Sequence, residues 1–334
     1  MKREEFTWRD GERTIVFKVG AIAEAVETLR WQGWDRYELL STRRALVNAP
    51  LHLPGHAAAV HEVPHGPVNE VSAGLLDAVD SPALVALGGG RVIDVAKAIA
   101  AVRGGRVAAL PTTLSGAEMT AIHRLPEGQT APHRVRPELV LADALEMTGQ
   151  EDHELRASAM NALAHGADCL YTPHANPVSR MAALRGARLL ARGLDGDRDE
   201  DGRIDLGLGS VLCAYALDSA GLALHHVVSQ TLVRTMRIAH AETNAAILPR
   251  AIEALRPRVR GRIGELARAL GAKPAGVAER IEALAGGRRH LGELGADRSQ
   301  LELALDAMLD RPELQSVPDP PGRDELRALV EAAW

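Results

Sequence analysis

Apolar and polar positions divide this chain into a first part that alternates strand and helix patterns and a second part that is helical throughout. In the first part, short apolar runs have the length and residue types of buried strands. We predict strands over residues 13–18, 37–42, 58–63, 83–87, 107–110 and 139–142. Helical spacing of apolar residues follows some of these runs, at 22–29, 71–79 and 92–100. Strands that alternate with helices predict a parallel sheet covered on both faces.

After about residue 150 the strand patterns stop, while apolar residues at helical spacing continue. We predict helices over residues 153–172, 177–193, 207–232, 241–255, 259–270, 275–285, 298–310 and 323–333. The sequence therefore predicts two domains, an α/β domain over 1–150 and an all-α domain over 151–334. The boundary is expected in the stretch Thr148-Gly-Gln-Glu-Asp.

Composition narrows the classes of protein that need to be considered. The 334 residues are 46% hydrophobic and 25% charged, as in ordinary globular proteins with sizeable cores. A net charge of -5 gives no indication of a nucleic-acid partner. No apolar run approaches the roughly 20 residues that span a bilayer, and residues 1–6 lack the apolar stretch of a signal peptide. The two cysteines, Cys169 and Cys213, exclude a disulfide scaffold and favour the cytoplasm.

A glycine turn follows the fourth predicted strand. Gly88, Gly89 and Gly90 stand between that strand and the helical spacing of the next segment. Glycines allow a ligand to approach the backbone, and the first N–H groups of a helix suit a phosphate. Asp94 and Lys97 lie three residues apart on one face of the first turns. A tight turn without a ligand has the same local pattern, so both interpretations stay open at this point.

A second loop, residues 110–120, follows the fifth predicted strand. It is rich in hydroxyls that could contact a phosphate, a ribose or a nicotinamide amide: Thr112, Thr113, Ser115 and Thr120. Loops after neighbouring parallel strands share one edge of the sheet, where ligands of such folds bind. The two loops together therefore indicate a nucleotide site more strongly than either does alone.

Polar residues that could bind a metal or a substrate recur in the helical part. Asn161 and His165 lie four residues apart on one helix face, and the pair His225-His226 and then His240 follow. Each histidine taken alone is more often a hydrogen-bonded structural residue. Metal sites are recognised by convergence in space, which the sequence does not show.

These stretches resemble the signatures of the iron-containing (group III) alcohol dehydrogenases. Gly88-Gly-Gly-Arg-Val-Ile-Asp-Val-Ala-Lys97 is similar to the family's Gly-Gly-Gly-Ser-x-x-Asp-x-Ala-Lys, and Pro111–Thr120 is similar to its second signature. Met160–His165, the region of His226 and the stretch His240–Pro249 then match in order. The branch that this chain resembles most is that of the maleylacetate reductases, which share Asn161, the His-His pair and the His-Ala-Glu sequence.

The resemblance implies a fold, cofactors and site residues. The fold is an N-terminal α/β dinucleotide-binding domain and an all-α C-terminal substrate or metal-site domain, the dehydroquinate synthase-like architecture, with the active site in the cleft. It implies NAD(P)H as cofactor and, in metal-binding members, an Asp at position 161 with histidines at 165, 226 and 240. The cofactor residues implied are Gly88, Gly89, Gly90, Asp94, Lys97, Thr112, Thr113, Ser115 and Thr120, with Ser41 and Thr42 at the end of the second strand.

Departures from the family pattern concern the metal and the substrate. Asn161 replaces an anionic ligand by a neutral oxygen, so we expect weak or absent binding of Fe or Zn. Gln230 stands where the family usually has a histidine, and a Gln does not act as an acid near neutral pH. Arg234 stands in place of a glycine and Arg237 in place of an acidic or polar residue, while Arg91 replaces the Ser of the first signature.

We therefore expect an NAD(P)H-dependent reductase or dehydrogenase, with hydride transfer to or from a small acidic carbonyl or conjugated carbonyl compound. His226 and His240 are the predicted catalytic donors, with His165 and Asn161 as polar wall and Arg234, Arg237 and Gln230 toward the substrate. Two alternatives stay open: a metal-dependent alcohol dehydrogenase and a non-catalytic nucleotide-binding member. Arg43 or Arg44 could accept a 2′-phosphate, so NADPH competes with NADH. The family also implies a homodimer.

Overall fold

The computed structural model describes residues 11–334, so the stretch 1–6 considered above as a signal peptide lies outside the described residues. The chain divides into two compact units between Gln150 and Glu151. The first contains a sheet with helices, and in the described part of the second all regular elements are helical.

The first unit is built on a six-stranded sheet in which every pairing is parallel. The strands are β1 (Thr14–Phe17), β2 (Glu38–Ser41), β3 (Ala59–Glu62), β4 (Ala83–Gly88), β5 (Arg106–Pro111) and β6 (Leu139–Ala142). Their order is β1-β6-β5-β4-β2-β3. The parallel sheet and all six strand positions are thus confirmed. β4, which precedes the glycine turn, lies inside the sheet between β5 and β2.

Helices cover both faces of this sheet. They are α1 (Ala25–Trp31), α2 (Arg43–Asn48), α3 (His52–His56), α4 (Val68–Leu75), α5 (Gly90–Arg103) and α6 (Ala144–Met147). Alternate residues of β4 enter two different cores, because successive side chains of a strand point to opposite faces. Leu84 and Ala86 belong to the core under α5, whereas Val85 and Leu87 belong to the core under α1. α2, α3 and α6 have no counterpart among the predicted elements.

The second unit contains nine α-helices among the described residues. They are α7 (Asp152–Asp168), α8 (Pro177–Asp195), α9 (Glu200–Ala220), α10 (Leu224–Met236), α11 (His240–Leu255), α12 (Arg260–Ala269), α13 (Val277–Leu284), α14 (Leu301–Leu309) and α15 (Arg323–Glu331). The prediction of one helix over 207–232 is wrong. α9 and α10 meet at a bend of 98° across residues 221–223, where Gly221 has φ 81°.

Glycines bring α7, α8 and α9 into close contact. A Cβ atom at Gly186 of α8 would lie 2.7 Å from the backbone oxygen of Gly209 on α9 and 2.6 Å from the Sγ of Cys213. A Cβ atom at Gly166 of α7 would lie 2.9 Å from the same sulfur. Cys213 and Cys169 are both buried and free, as expected for core residues. The three helices therefore pack almost backbone to backbone, with the Cys213 thiol filling the space that remains.

In the part of the chain that the structure describes, no single helix combines the length and apolar character needed to cross a membrane. α9 and α10 meet the two requirements only as a pair, across their 98° bend.

Candidate functional site

The glycine turn forms the passage from β4 to α5. β4 ends at Gly88, which has φ 154°, and α5 begins at Gly90 with Gly89 as its N-cap. A Cβ atom at Gly88 would lie 2.8 Å from the Cγ2 of Val92, so the turn requires glycine there. The first amide N–H groups of a helix have no acceptor within the helix and carry the positive end of its dipole. This end of α5 is therefore suited to an anion.

The hydroxyl-rich loop lies directly against the glycine turn. The Thr112 amide donates to the Gly88 carbonyl oxygen at 3.0 Å. A Cβ atom at Gly89 would lie 3.1 Å from Cγ2 of Thr113, and one at Gly90 would lie 2.9 Å from Cβ of Ser115. The structure thus brings these predicted cofactor residues together at one rim of the sheet.

Arg91 adds a cation to this rim. It occupies the first turn of α5, and its buried Nε has no hydrogen-bond partner among residues 11–334. A positive charge in the first turn opposes the helix dipole unless an anion lies nearby. The sequence comparison noted Arg91 only as a departure from the family signature and gave it no role.

Lys97 has a different position from that predicted. Its side chain is fully buried, and Nζ donates to the backbone oxygens of Ala117 at 2.8 Å, Thr120 at 3.0 Å and Ile122 at 2.9 Å. Nζ also lies 2.8 Å from Oδ1 of Asp94. An ammonium has three N–H bonds, and the three carbonyls use all of them. Lys97 therefore holds residues 117–122 in place and has no donor left for a phosphate.

Asp94 and Glu118 lie beside this lysine. Burial raises the pKa of Asp94, and Lys97 offsets part of that shift. Burial raises the pKa of Glu118 to about 7. Neither carboxyl oxygen of Glu118 has a hydrogen-bond partner in the described part of the chain. Glu118 is therefore largely protonated in the folded state at slightly acidic pH.

Ser41 and Thr42 use their hydroxyls within the fold. Ser41 is buried and donates to the backbone oxygen of Leu87 at 2.8 Å. Thr42 caps α2 by accepting from the Ala45 amide at 3.2 Å. Arg43 and Arg44, the first residues of α2, are exposed.

The second group of predicted residues converges within the helical unit. Asn161 and His165 lie on α7, His225 and His226 begin α10, and His240 begins α11. The rings of His165 and His226 stack with their centroids 5.0 Å apart, and the His225 and His226 rings meet edge to face at 4.8 Å. His240 is exposed, whereas Asn161 and the other three histidines are buried.

Asn244, which the sequence analysis did not single out, joins these residues. Its Nδ2 donates to Asn161 Oδ1 at 2.9 Å and to His240 Nε2 at 3.1 Å. Its Oδ1 accepts from His225 Nε2 at 3.0 Å. The signal available in the sequence was its position four residues after His240, on the same face of α11.

Asp168 was also missed, although it follows His165 by three residues at the end of α7. Its Oδ2 lies 2.7 Å from His226 Nδ1 and 3.0 Å from the Ala223 amide nitrogen. The amides of His225 and His226 and the hydroxyl of Tyr171 donate to the same carboxylate. These contacts outweigh the effect of burial and lower the pKa of Asp168 to about 2.

Burial and neighbouring groups favour the neutral forms of His165 and His225. Burial lowers the pKa of His165 well below its usual value, and neighbouring histidines lower it further. Burial, assisted by the charge of His226, lowers the pKa of His225 to about 3. The cluster therefore holds one buried carboxylate, and its His165 and His225 imidazoles are mostly uncharged at neutral pH.

One turn after His226, a cationic patch consists of Gln230, Arg234 and Arg311. Gln230 Oε1 accepts from Nη1 and Nη2 of Arg311, both at 3.2 Å, and from Nη2 of Arg234 at 3.4 Å. Glu313 pairs with Arg311 at 2.8 Å. Among the described residues, this group brings together two guanidinium groups and one carboxylate. Arg237 ends α10 with φ 55° and has an exposed side chain.

The donor set does not fit a metal ion. Asn161 Oδ1 and His240 Nε2, two of the four ligands that the resemblance implies, already accept hydrogen bonds from Asn244. Among residues 11–334, no group of three His, Cys, Asp or Glu side chains is arranged to hold a metal. The contacts are those of a hydrogen-bond network.

Comparison with known families gives two matches. The profile described as the Fe-containing alcohol dehydrogenase family, C-terminal, matches residues 156–334. The profile described as iron-containing alcohol dehydrogenase matches residues 42–123. The glycine turn and the hydroxyl-rich loop lie in the region 42–123, and the histidine cluster lies in the region 156–334.

Individual relatives agree with these profiles. Maleylacetate reductase 1 of Rhodococcus opacus is 32% identical, over 100% of this chain and 97% of the relative. Maleylacetate reductase of Burkholderia cepacia is 31% identical, over 96% of this chain and 95% of the relative. The crystal structure of maleylacetate reductase from Rhizobium sp. strain MTP-10005 superposes with a TM-score of 0.87 at 28% identity, covering 99% of this chain and 98% of that one.

Proposed function

Since the chain belongs to the iron-containing alcohol dehydrogenase family, we propose that it reduces a small dicarboxylate in which a carbon–carbon double bond is conjugated to a carbonyl. The protein is an NAD(P)-dependent oxidoreductase that resembles maleylacetate reductase along its whole length. The observation that carries the choice of an acidic substrate is the cationic patch, which lies one helical turn from His226.

For the cofactor we propose the rim formed by the glycine turn and the hydroxyl-rich loop. The amides that begin α5 and the side chain of Arg91 would hold the pyrophosphate. Thr113 and Ser115 would contact the adjoining ribose or the nicotinamide amide, since their side chains lie against Gly89 and Gly90. Exposed Arg43 and Arg44 favour NADPH over NADH, because a 2′-phosphate pairs with arginine.

For the substrate we propose roles within the helical unit. When bound, the nicotinamide supplies a hydride to carbon, and negative charge develops on the carbonyl oxygen of the substrate. His240 would donate to that oxygen from Nδ1, since its Nε2 accepts from Asn244, and His226 would donate a proton taken up at Nε2. Such preorganised donors are an effective way to stabilise the developing charge. His165 and Asn161 form the polar wall. Arg234 and Arg237, with Gln230, would hold a substrate carboxylate, which arginine binds in a bidentate manner.

We also propose that the reaction requires no metal ion. The support is the occupation of Asn161 Oδ1 and His240 Nε2 by Asn244, together with the neutral charge of all four implied ligands. The test is elemental analysis of protein purified without chelator. We expect less than about a tenth of an equivalent of bound iron or zinc and full activity in EDTA, since a neutral donor set binds these cations weakly. Stoichiometric metal with loss of activity on chelation would contradict the proposal.

The substrate proposal is tested with a matched pair of substrates. We expect NAD(P)H oxidation with a conjugated keto-dicarboxylate and much slower oxidation with its monocarboxylate analogue. Arg234→Ala should raise KM for the dicarboxylate about tenfold or more, because it removes a charged contact. Arg188→Ala, an exposed arginine on α8, is the control and should leave KM unchanged. Failure of both nucleotides to bind would refute the assignment of function.

The proposal also includes an oligomeric state and a cellular compartment. We propose a homodimer, as the family resemblance implies, to be checked by light scattering at several protein concentrations. We propose a reducing compartment such as the cytoplasm, because Cys169 and Cys213 are both free thiols.

A further inference from the structure

The buried carboxylate of Asp168 lies where α7, the turn that follows it and the start of α10 meet. It ends α7, it faces the first residues of α10, and it receives the hydroxyl of Tyr171. The amides of Ala223, His225 and His226 point at it from the start of α10, at 3.0, 3.4 and 3.3 Å. A carboxylate at a helix N-terminus satisfies amides that have no partner within the helix. Asp168 thereby fixes the position of the helix that carries His226.

The same carboxylate also fixes the ring of His226. Oδ2 of Asp168 lies 2.7 Å from Nδ1 of the ring, and an ionised carboxylate only accepts, so Nδ1 must carry the hydrogen. The other ring nitrogen, Nε2, is buried and has no hydrogen-bond partner in the described chain. The neighbouring rings of His165 and His225 contact His226 by stacking and by an edge, and neither contact satisfies Nε2. An unpartnered buried nitrogen is costly unless a ligand uses it.

We propose that Asp168 is a positioning residue for reduction: it holds His226 in the Nδ1–H tautomer, so that Nε2 is the nitrogen that takes up a proton from solvent and passes it to the substrate oxygen, while the carboxylate stabilises the imidazolium that forms in between. The inference rests on the proposed function, and it adds a residue outside the predicted site. Carboxylate–histidine pairs act in this way elsewhere, where the carboxylate sets the tautomer and orientation of the ring. Asn244 holds His225 and His240 but makes no such contact with His226 among the hydrogen bonds described above.

The test compares three variants. Asp168→Asn has nearly the same shape but presents an N–H group that favours the opposite tautomer. We expect kcat to fall about 100-fold or more, with KM for the substrate changed less than threefold, as for other carboxylate–histidine pairs. Asp168→Glu retains the carboxylate and should recover at least tenfold of that loss. Tyr171→Phe removes a different bond to the same carboxylate, so it should lower the melting temperature but leave kcat within threefold of the original.

A second readout is independent of turnover. Two-bond ¹H–¹⁵N correlation spectra distinguish the tautomers of histidine, and His226→Asn identifies the His226 signals by their loss. We expect the Nδ1–H tautomer in the unaltered protein and its disappearance in Asp168→Asn. An Nε2–H tautomer in the unaltered protein overturns the proposal, even when Asp168→Asn fails to fold. A folded Asp168→Asn protein with unchanged kcat overturns it as well. If the unaltered protein turns over no substrate while the tautomer is as expected, the proposed function fails and the positioning of His226 stands.

Discussion

Replacing Lys97 by Met gives a direct test of the internal cation in the first unit. The substitution keeps an unbranched side chain of similar length but removes the donor from the carbonyls of Ala117, Thr120 and Ile122. It also removes the cation 2.8 Å from Asp94. A buried carbonyl without a partner costs about 1–3 kcal/mol, and loss of one member of a buried ion pair costs about 3–5 kcal/mol. Since water and protonation of Asp94 recover part of this, we expect about 3–5 kcal/mol of lost stability.

The assay is urea unfolding followed by circular dichroism, with Lys273→Met as the control. Lys273 is exposed, so its substitution should change the unfolding midpoint very little. Lys97→Arg provides a second comparison, because a planar guanidinium cannot direct three N–H bonds at three converging carbonyls as an ammonium does. We expect Lys97→Arg to be destabilised as well, in spite of its retained charge.

The same variants test how the Lys97 contacts affect binding of the nucleotide. Residues 117–122 belong to the loop that lies on the glycine turn, so releasing them should raise KM for NAD(P)H together with the loss of stability. If Lys97→Met had the same midpoint as the unaltered protein, the three hydrogen bonds would not contribute as we have reasoned. If it were destabilised with unchanged KM, the loop would hold its shape without the lysine.

Three further predictions follow from particular contacts. Gly90→Ala should raise KM for the cofactor, because the new Cβ would lie 2.9 Å from Ser115, whereas Gly74→Ala, which meets no atom within 4 Å, should not. In urea titrations, Glu118→Gln should raise the free energy of unfolding above that of the unaltered protein. This gain should be about 2–3 kcal/mol larger at pH 8 than at pH 5. The reason is that a carboxyl with its pKa raised to about 7 costs stability as the pH rises from 4.5 to 7, and Gln does not titrate. Asn161→Asp should increase zinc affinity about tenfold or more in a competition assay, and an unchanged affinity would show that charge is not what limits binding.

Much of the fold could be predicted because the segments with an apolar strand pattern in the sequence are the strands that the fold buries. β4 is buried along its whole length, and its continuous apolar run identified it. The break between α9 and α10 could not be predicted, because the apolar pattern continues through residues 221–224. Besides Gly221, the bend includes the Ala223 amide, which donates to Asp168, a residue more than fifty positions earlier. A contact so distant in sequence leaves no local periodic signal.

The candidate site was predictable by residue type but less so by role. The histidines do converge, which the sequence alone did not show. The direction of a side chain could not be predicted from the sequence. Lys97 points into the fold, and Ser41 donates to a neighbouring strand. Asp168 and Asn244 were missed because an Asp or Asn in a helix has no distinctive pattern until its partners are known.

The glycine contacts among α7, α8 and α9 bear on how this protein can acquire a new specificity. Any substitution at Gly186 adds a Cβ against the Gly209 oxygen and the Cys213 sulfur, so these helices leave no room for larger side chains. His165, next to Gly166, lies on one of these constrained helices, whereas Arg234 lies on α10 and is exposed. A laboratory selection for a new substrate should therefore accumulate changes along α10 and retain the glycines. In this unit, α10 holds part of the chemistry at its first turn, with His226, and the position that adapts to the substrate further along, at Arg234.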